Sequence, residues 1–174
     1  MGLSSAPHIS HASVEAYKIP TDKPESDGTL EWDHTTLVLV RLRAGSYCGL
    51  GYTYSSRAAA AVIHDTLLPL VARGDAMAVE ALWERMVRAI RRLGRPGISS
   101  MAISAVDSAL WDLKARLLNI PLVTLLGQVP EEVPIYGSGG FTSYSDRELC
   151  EQLCGWAAQG ITRVKNESRT RSIP

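Results

Sequence analysis

The chain reads as an α+β domain, a three-stranded antiparallel meander followed by a helical bundle, joined to an incomplete β/α barrel of about one βαβ unit. Three observations predict this. Segments 11–19, 35–43 and 47–54 are short, rich in strand-forming residues and separated by turn signals. From Arg57 to Leu118 the apolar spacing changes to three and four, the helical period. After Gly127 a capped helix lies between two short apolar runs, VPIYGSG and ITRVK.

In the first region, His11 to Ile19 alternates through Ala12, Val14 and Ala16. Residues 20–33 carry two prolines, a glycine and five acids, and predict a polar loop. Its acids Asp22, Glu25 and Asp27 would repel an anionic ligand and are expected to point outward. Thr35 to Arg43 (TTLVLVRLR) and Tyr47 to Tyr54 (YCGLGYTY) are strands around the turn Gly45-Ser46.

Arg57 to Leu68 places Val62, Ile63, Thr66 and Leu67 on one helical stripe, with Pro69 marking a bend or a new first turn. Val79, Leu82, Trp83, Met86, Val87, Ile90 and Leu93 form a second stripe, stopped by Gly94 and Pro96. A third helix is expected from Met101 to Leu118, capped by Ser99 or Ser100 and ended by Asn119 and Pro121. Its face of Ala102, Ala105, Val106, Ala109, Leu110, Leu113 and Leu117 is mostly small or β-branched. Small residues let another backbone approach, which predicts a helix between two layers.

Val133 to Gly139 and Ile161 to Lys165 read as parallel strands around a helix opened by Ser145 and Glu148, an S-x-x-E capping box. Then NESRTRSIP has no periodicity. Two parallel strands need neighbours on both sides, and the segment after Val133 is a small fraction of the roughly 250 residues of a β/α barrel.

Composition excludes several classes. Charged residues make up 21% and hydrophobic residues 45%, ordinary globular values. Eighteen basic and eighteen acidic residues cancel, so no bulk attraction to nucleic acid or to an anionic membrane follows. The cluster Arg85, Arg88, Arg91, Arg92 and Arg95 suits a helix C-terminus, with no aromatic platform expected for nucleic acid. The most apolar stretch, Leu37 to Leu42, is cut by Arg41 and is too short to span a bilayer. No signal peptide is read at the start, and a cytoplasmic protein with reduced thiols is expected. Cys150 and Cys154 lie four apart and read as small buried side chains, since no further ligand has metal spacing. His8, His11, His34 and His64 share no ligand spacing, and Asp107, Asp112 and Lys114 read as helix-surface charges.

The order of meander, helices and βαβ, with AISAVDSALWDLKARLLNIPLVTLLG at Ala102 to Gly127, resembles the enolase superfamily, and the mandelate racemase/muconate lactonizing branch fits best. The resemblance spans about residues 8 to 165. It implies a capping domain over 1–128 and the first βαβ unit of a truncated β/α barrel over 129–165. An irregular tail over 166–174 then reads like a shifted frame or an alternative terminal exon.

The resemblance implies abstraction of the proton α to the carboxylate of a hydroxy or sugar acid, giving racemisation, epimerisation or dehydration. Such a carbon acid is too weak for a base alone, and Mg²⁺ stabilises the enediolate. Family members carry a K-x-K motif at the end of the second strand and acidic metal ligands on three later strands. Lys165 matches the first Lys of that motif, while Glu167 stands at the place of the second. No residue matches the metal ligands. This chain is therefore expected to be inactive alone and to bind no Mg²⁺. Candidate substrate contacts are Thr21, Asp22, Trp32, Tyr52 and Tyr54 in the capping part, and Ser138, Gly139 and Phe141 at the first barrel strand. The implied partner is a small carboxylate substrate, and a homo-oligomer is compatible with the reading. The alternative is a non-catalytic interaction module that pairs with full-length subunits.

Overall fold

The structure, a computed structural model, describes residues 7–129 and 132–167. It divides into two compact units. The first joins the described part of 1–18 to Thr36–Gln128, and the second joins Ile19–Thr35 to the described part of 129–174.

Strands β1 (His11–Ser26), β2 (Glu31–Ala44) and β3 (Tyr47–Tyr54) form one antiparallel sheet in that order. β2 and β3 pair from Leu37 opposite Tyr54 to Ala44 opposite Tyr47, around Gly45 at φ 58°. The expected polar loop 20–33 is a correction. β1 runs through Ser26 and β2 starts at Glu31, so most of that segment is a long hairpin arm. Pro20 and Pro24 are tolerated because β1 is an edge strand, where a missing donor costs no ladder bond. The turn itself is short. Asp27 accepts hydrogen bonds from the Thr29 and Leu30 amides, both at 2.8 Å, and Gly28 takes φ 90°.

Alternation along β2 buries Val38, Val40, Leu42 and Ala44. Helix α1 (Arg57–Val62), capped by Ser56, passes into one π-turn, Ile63–Leu67, and then α2 (Leu68–Val71). Pro69 sits in the first turn of α2, where its absent N–H is harmless. Helix α3 (Val79–Ala89) buries Val79, Leu82 and Met86, and then tightens to a 3₁₀ turn at Ile90–Arg92. That tightening turns Leu93, expected on the buried stripe, outward to 57% exposure.

Helix α4 (Ile98–Leu118) is the centre of the first unit. It starts earlier than the serines suggest: Gly97 is its cap, Ser99 is buried within its first turn, and Ser100 donates back to the Arg95 carbonyl. The expected small-residue face is buried from Ala102 to Leu113, with Leu117 half-buried. Glycines on β3 complete the fit. A Cβ at Gly51 would stand 2.0 Å from the Ala105 carbonyl oxygen, and one at Gly49 would stand 2.3 Å from that of Ala109. Strand and helix thus meet backbone to backbone. Asn119, left-handed at φ 55°, ends α4, and α5 (Leu122–Leu126) follows.

In the second unit β4 (Gly137–Gly139) and β5 (Val164–Asn166) pair in parallel around α6 (Asp146–Ala158). The capping box forms as expected: Ser145 accepts from the Glu148 amide, and Glu148 accepts from the Ser145 amide. β4 is shorter than the expected strand from Val133. Residues 133–136 are exposed and lie outside it, with Val133 at 74%. Cys150 and Cys154 are exposed, a second correction, because the half-buried positions of α6 are Leu149, Gln152, Leu153, Gly155 and Trp156. Residues 168–174 of the expected tail lie outside the described residues, while Asn166 belongs to β5. Among the described residues no helix is long and apolar enough to cross a membrane.

Candidate functional site

Strand alternation builds the site from β4 and β5. Gly137 and Gly139 face α6, where a Cβ would stand 2.3 Å and 2.8 Å respectively from the Trp156 ring. Ser138 therefore points to the opposite, open face. Its register partner across the parallel pair is Lys165, and both are exposed. The two residues stand side by side at the middle of their three-residue strands, one residue short of the end at which β/α barrels build their sites. Lys165 pairs with Glu167, and that hydrogen bond is the main reason its ammonium is held above the ordinary lysine range.

Above β4 the backbone turns at Gly140, φ 65°, whose amide donates to the Gln152 side chain at 2.8 Å. A Cβ there would stand 2.6 Å from the Asn166 side-chain oxygen. A small cleft of about 250 Å³ opens beside it, lined by Gly140, Phe141, Thr142, Tyr144, Asn166 and Glu167 among others.

The hairpin tip packs on the loop after β4. The Trp32 and Phe141 rings meet edge to face at 5.6 Å, and Phe141 meets Tyr144 likewise at 5.5 Å. The Thr142 amide donates to the Ser26 carbonyl at 2.9 Å, and the Ser143 hydroxyl donates to that of Pro24 at 3.0 Å. Lys23 pairs with Glu148 and lies 3.9 Å over the Tyr144 ring. Together with the Ser145 amide and hydroxyl, this ammonium holds the Glu148 carboxyl down to about 2, the Lys23 bond being the largest cause.

The sequence-selected residues thus fall into groups. Trp32 meets Phe141, and Ser138 neighbours Lys165, with Gly139 buried under α6. Thr21 donates to the Lys23 carbonyl at 2.7 Å and shapes the hairpin arm, while Asp22 is exposed. Tyr52 and Tyr54 belong to the first unit, where their exposed rings meet edge to face at 5.9 Å. The outward reading of the acids holds for Asp22 and fails for its neighbours. Glu25 accepts from the Trp32 indole N–H at 2.7 Å, and Asp27 closes the turn. Lys23, Ser26, Thr142, Tyr144 and Glu148 carry the packing of the tip and were not selected as site residues, although Glu148 was recognisable as a cap. Their partners lie more than a hundred residues away in the chain, beyond any local pattern.

Among the described residues no group of three or more His, Cys, Asp or Glu side chains is placed to hold a metal ion.

Residues 16–127 match the N-terminal domain of mandelate racemase / muconate lactonizing enzyme. The chain belongs to that branch of the enolase superfamily. A mandelate racemase/muconate lactonizing enzyme-like protein from Rubrobacter xylanophilus is 53% identical with a TM-score of 0.90, over 94% of this chain and 46% of that one. A racemase from Streptomyces coelicolor A3(2), solved with bound magnesium, is 32% identical with a TM-score of 0.84, over 91% and 46%. A 3,6-anhydro-α-L-galactonate cycloisomerase, also from Streptomyces coelicolor, is 31% identical over 90% of this chain and 45% of its own length. Other curated relatives are sugar-acid dehydratases. The chain spans about half the length, or less, of the relatives it matches.

Proposed function

We propose that this chain supplies the capping part and the first carboxylate contact of an enzyme that abstracts the proton α to the carboxylate of a hydroxy or sugar acid. Racemisation and dehydration are outcomes that relatives' names give, and epimerisation is the third that this reading allows. The observation that carries this reading is the pairing of Ser138 with Lys165 on the open face of β4 and β5. Lys165, its ammonium held above the ordinary lysine range chiefly by the Glu167 hydrogen bond, serves as a charge and hydrogen-bond donor for a substrate carboxylate rather than as the base. Ser138 offers a hydroxyl beside it. Trp32 and Phe141 form an apolar edge that positions the sugar-acid chain and excludes water from it. Glu167 competes with the substrate for the same ammonium.

Mg²⁺ would stabilise the second negative charge of the enediolate when bound. The described residues do not fit it, because no three of their His, Cys, Asp or Glu side chains are placed to hold a metal ion. We propose that this chain binds and orients the carboxylate and that its 174 residues alone do not turn substrate over.

The test is an NMR titration of the ¹⁵N-labelled chain with a panel of aldonic and aldaric acids. Shifts are expected at Ser138, Gly140 and Lys165, and they should vanish in Lys165→Ala. A panel that leaves those signals in place sinks the site. In parallel, the chain with Mg²⁺ and the same acids in D₂O should leave the α-proton in place; exchange would overturn the inactivity.

A second reading has one observation in its favour. Val133, Ile135, Tyr136 and Val164 are exposed around the two-stranded sheet, and apolar strand surface favours pairing with another chain. Retention of the chain on an immobilised full-length relative would support this interaction module; loss of that retention when Val133 and Ile135 are made polar would locate it.

A further inference from the structure

Helix α3 carries its charges in two blocks. Glu80 and Glu84 stand on its first part, Arg85 and Arg88 follow, and Arg91 and Arg92 lie in the 3₁₀ turn. Residues 80, 84, 87, 88 and 91 are spaced by three and four, so they share one side of the helix with Trp83. That side carries Glu80, Trp83 and Glu84 first, then Val87, then Arg88 and Arg91.

The surroundings reinforce the polarity. A groove of about 600 Å³ lies beside the acidic half, lined by Val79, Glu80, Trp83, Glu84, Asp107 and Trp111. It holds three carboxylates and two indoles. The Lys114 ammonium lies beside it, 3.9 Å from Glu80 and 4.9 Å over the Trp111 ring. Burial first, and then the charge of Glu80, push the Asp107 carboxyl up, the mark of a site short of positive charge. On the other side of Trp83, a smaller cleft is lined by Arg95, whose guanidinium lies 5.2 Å over the indole. The basic cluster thus has the aromatic neighbour that the sequence reading denied it.

A stripe with acids in its first half and bases in its second complements itself when a two-fold axis lays it antiparallel on its own copy. We propose that this face of α3 is a self-association surface, whose occupant is α3 of a second copy of this chain. Arg88 and Arg91 of the partner subunit enter the groove between Trp83 and Trp111. There a guanidinium meets both a carboxylate and an indole face. Trp and Arg are the residue types that dominate such contacts. The Glu84–Arg88 pair within the helix does not oppose this, because both side chains are more than half exposed and exchange partners readily. This inference is independent of the carboxylate site.

The experiment is sedimentation velocity on the full chain. Association is expected below about 100 μM, and it should weaken at least roughly ten-fold between low and high salt. Glu80→Arg with Glu84→Arg, and separately Arg88→Glu with Arg91→Glu, should each be monomeric. Mixing the two variants should restore the dimer. Glu80→Gln with Glu84→Gln tests the same groove with a milder change, and thermal melts confirm that each variant is folded. A wild-type monomer throughout the range overturns the proposal, as does an assembly that survives both swaps or fails to return on mixing. A monomer whose Trp fluorescence responds instead to an arginine-rich peptide assigns the groove to a basic partner, which also overturns it.

Discussion

The two units reach order by different physics. In the first, buried hydrophobic side chains form one cluster to which α4 contributes from Ala102 to Leu113, and the glycines of β3 bring strand and helix into backbone contact. Among the described residues of the second, only Gly137, Gly139 and Gly140 are buried. Its structure rests on one indole laid over two glycines, a short train of aromatic edges and exposed ion pairs such as Lys23–Glu148. Close packing over a continuous core is cooperative and tolerates little change in volume. A set of edge contacts and exposed polar bonds opens locally at lower cost. Binding elements are drawn from that less stable class, and the candidate carboxylate contact is built there.

The comparison is broken most forcefully at Gly51. Gly51→Val drives a side chain into the Ala105 carbonyl. The expected loss is about 3 kcal/mol or more in urea unfolding of the first unit, beyond the usual overpacking range because backbone must move. A loss below about 1 kcal/mol would show that β3 and α4 slide apart easily.

Trp156→Ala is the corresponding change in the second unit. It is expected to cost about 2 kcal/mol, less than a fully buried Trp, because the ring is half-buried. Hydrogen exchange should speed up at Gly137 to Gly140 and along α6, while amides in α4 keep their protection. Equal loss in both would mean that the units unfold as one.

The smallest effect is expected from pH. The Glu148 carboxyl is held down to about 2 from an ordinary value of 4.5. A depressed carboxylate contributes stability that is present above its unfolded pKa and is lost as pH falls through its folded value. Protection of the Ser145 and Glu148 amides should therefore decline between about pH 4.5 and 2. Glu148→Gln should flatten that decline, and salt should reduce its amplitude, since the pair is exposed to solvent. A profile unchanged by Glu148→Gln would remove the Lys23–Glu148 pair from any role in holding the hairpin tip.

What the sequence determined by itself is the content of short-range pattern. The α4 face, the Gly45 turn, the Ser145/Glu148 cap and the βαβ order all follow from spacings within a few residues, where local sterics and hydrogen bonding decide. Tertiary structure decided the rest. It drew residues 20–33 into a hairpin arm, because an edge strand accepts prolines that composition alone assigns to a loop. It extended α4 to Gly97 by packing Ser99, and turned Leu93 and both α6 cysteines outward. It joined Lys23 to Glu148 across 125 residues, and set Ser138 beside Lys165. Those contacts depend on which distant surfaces meet, and no local spacing encodes that.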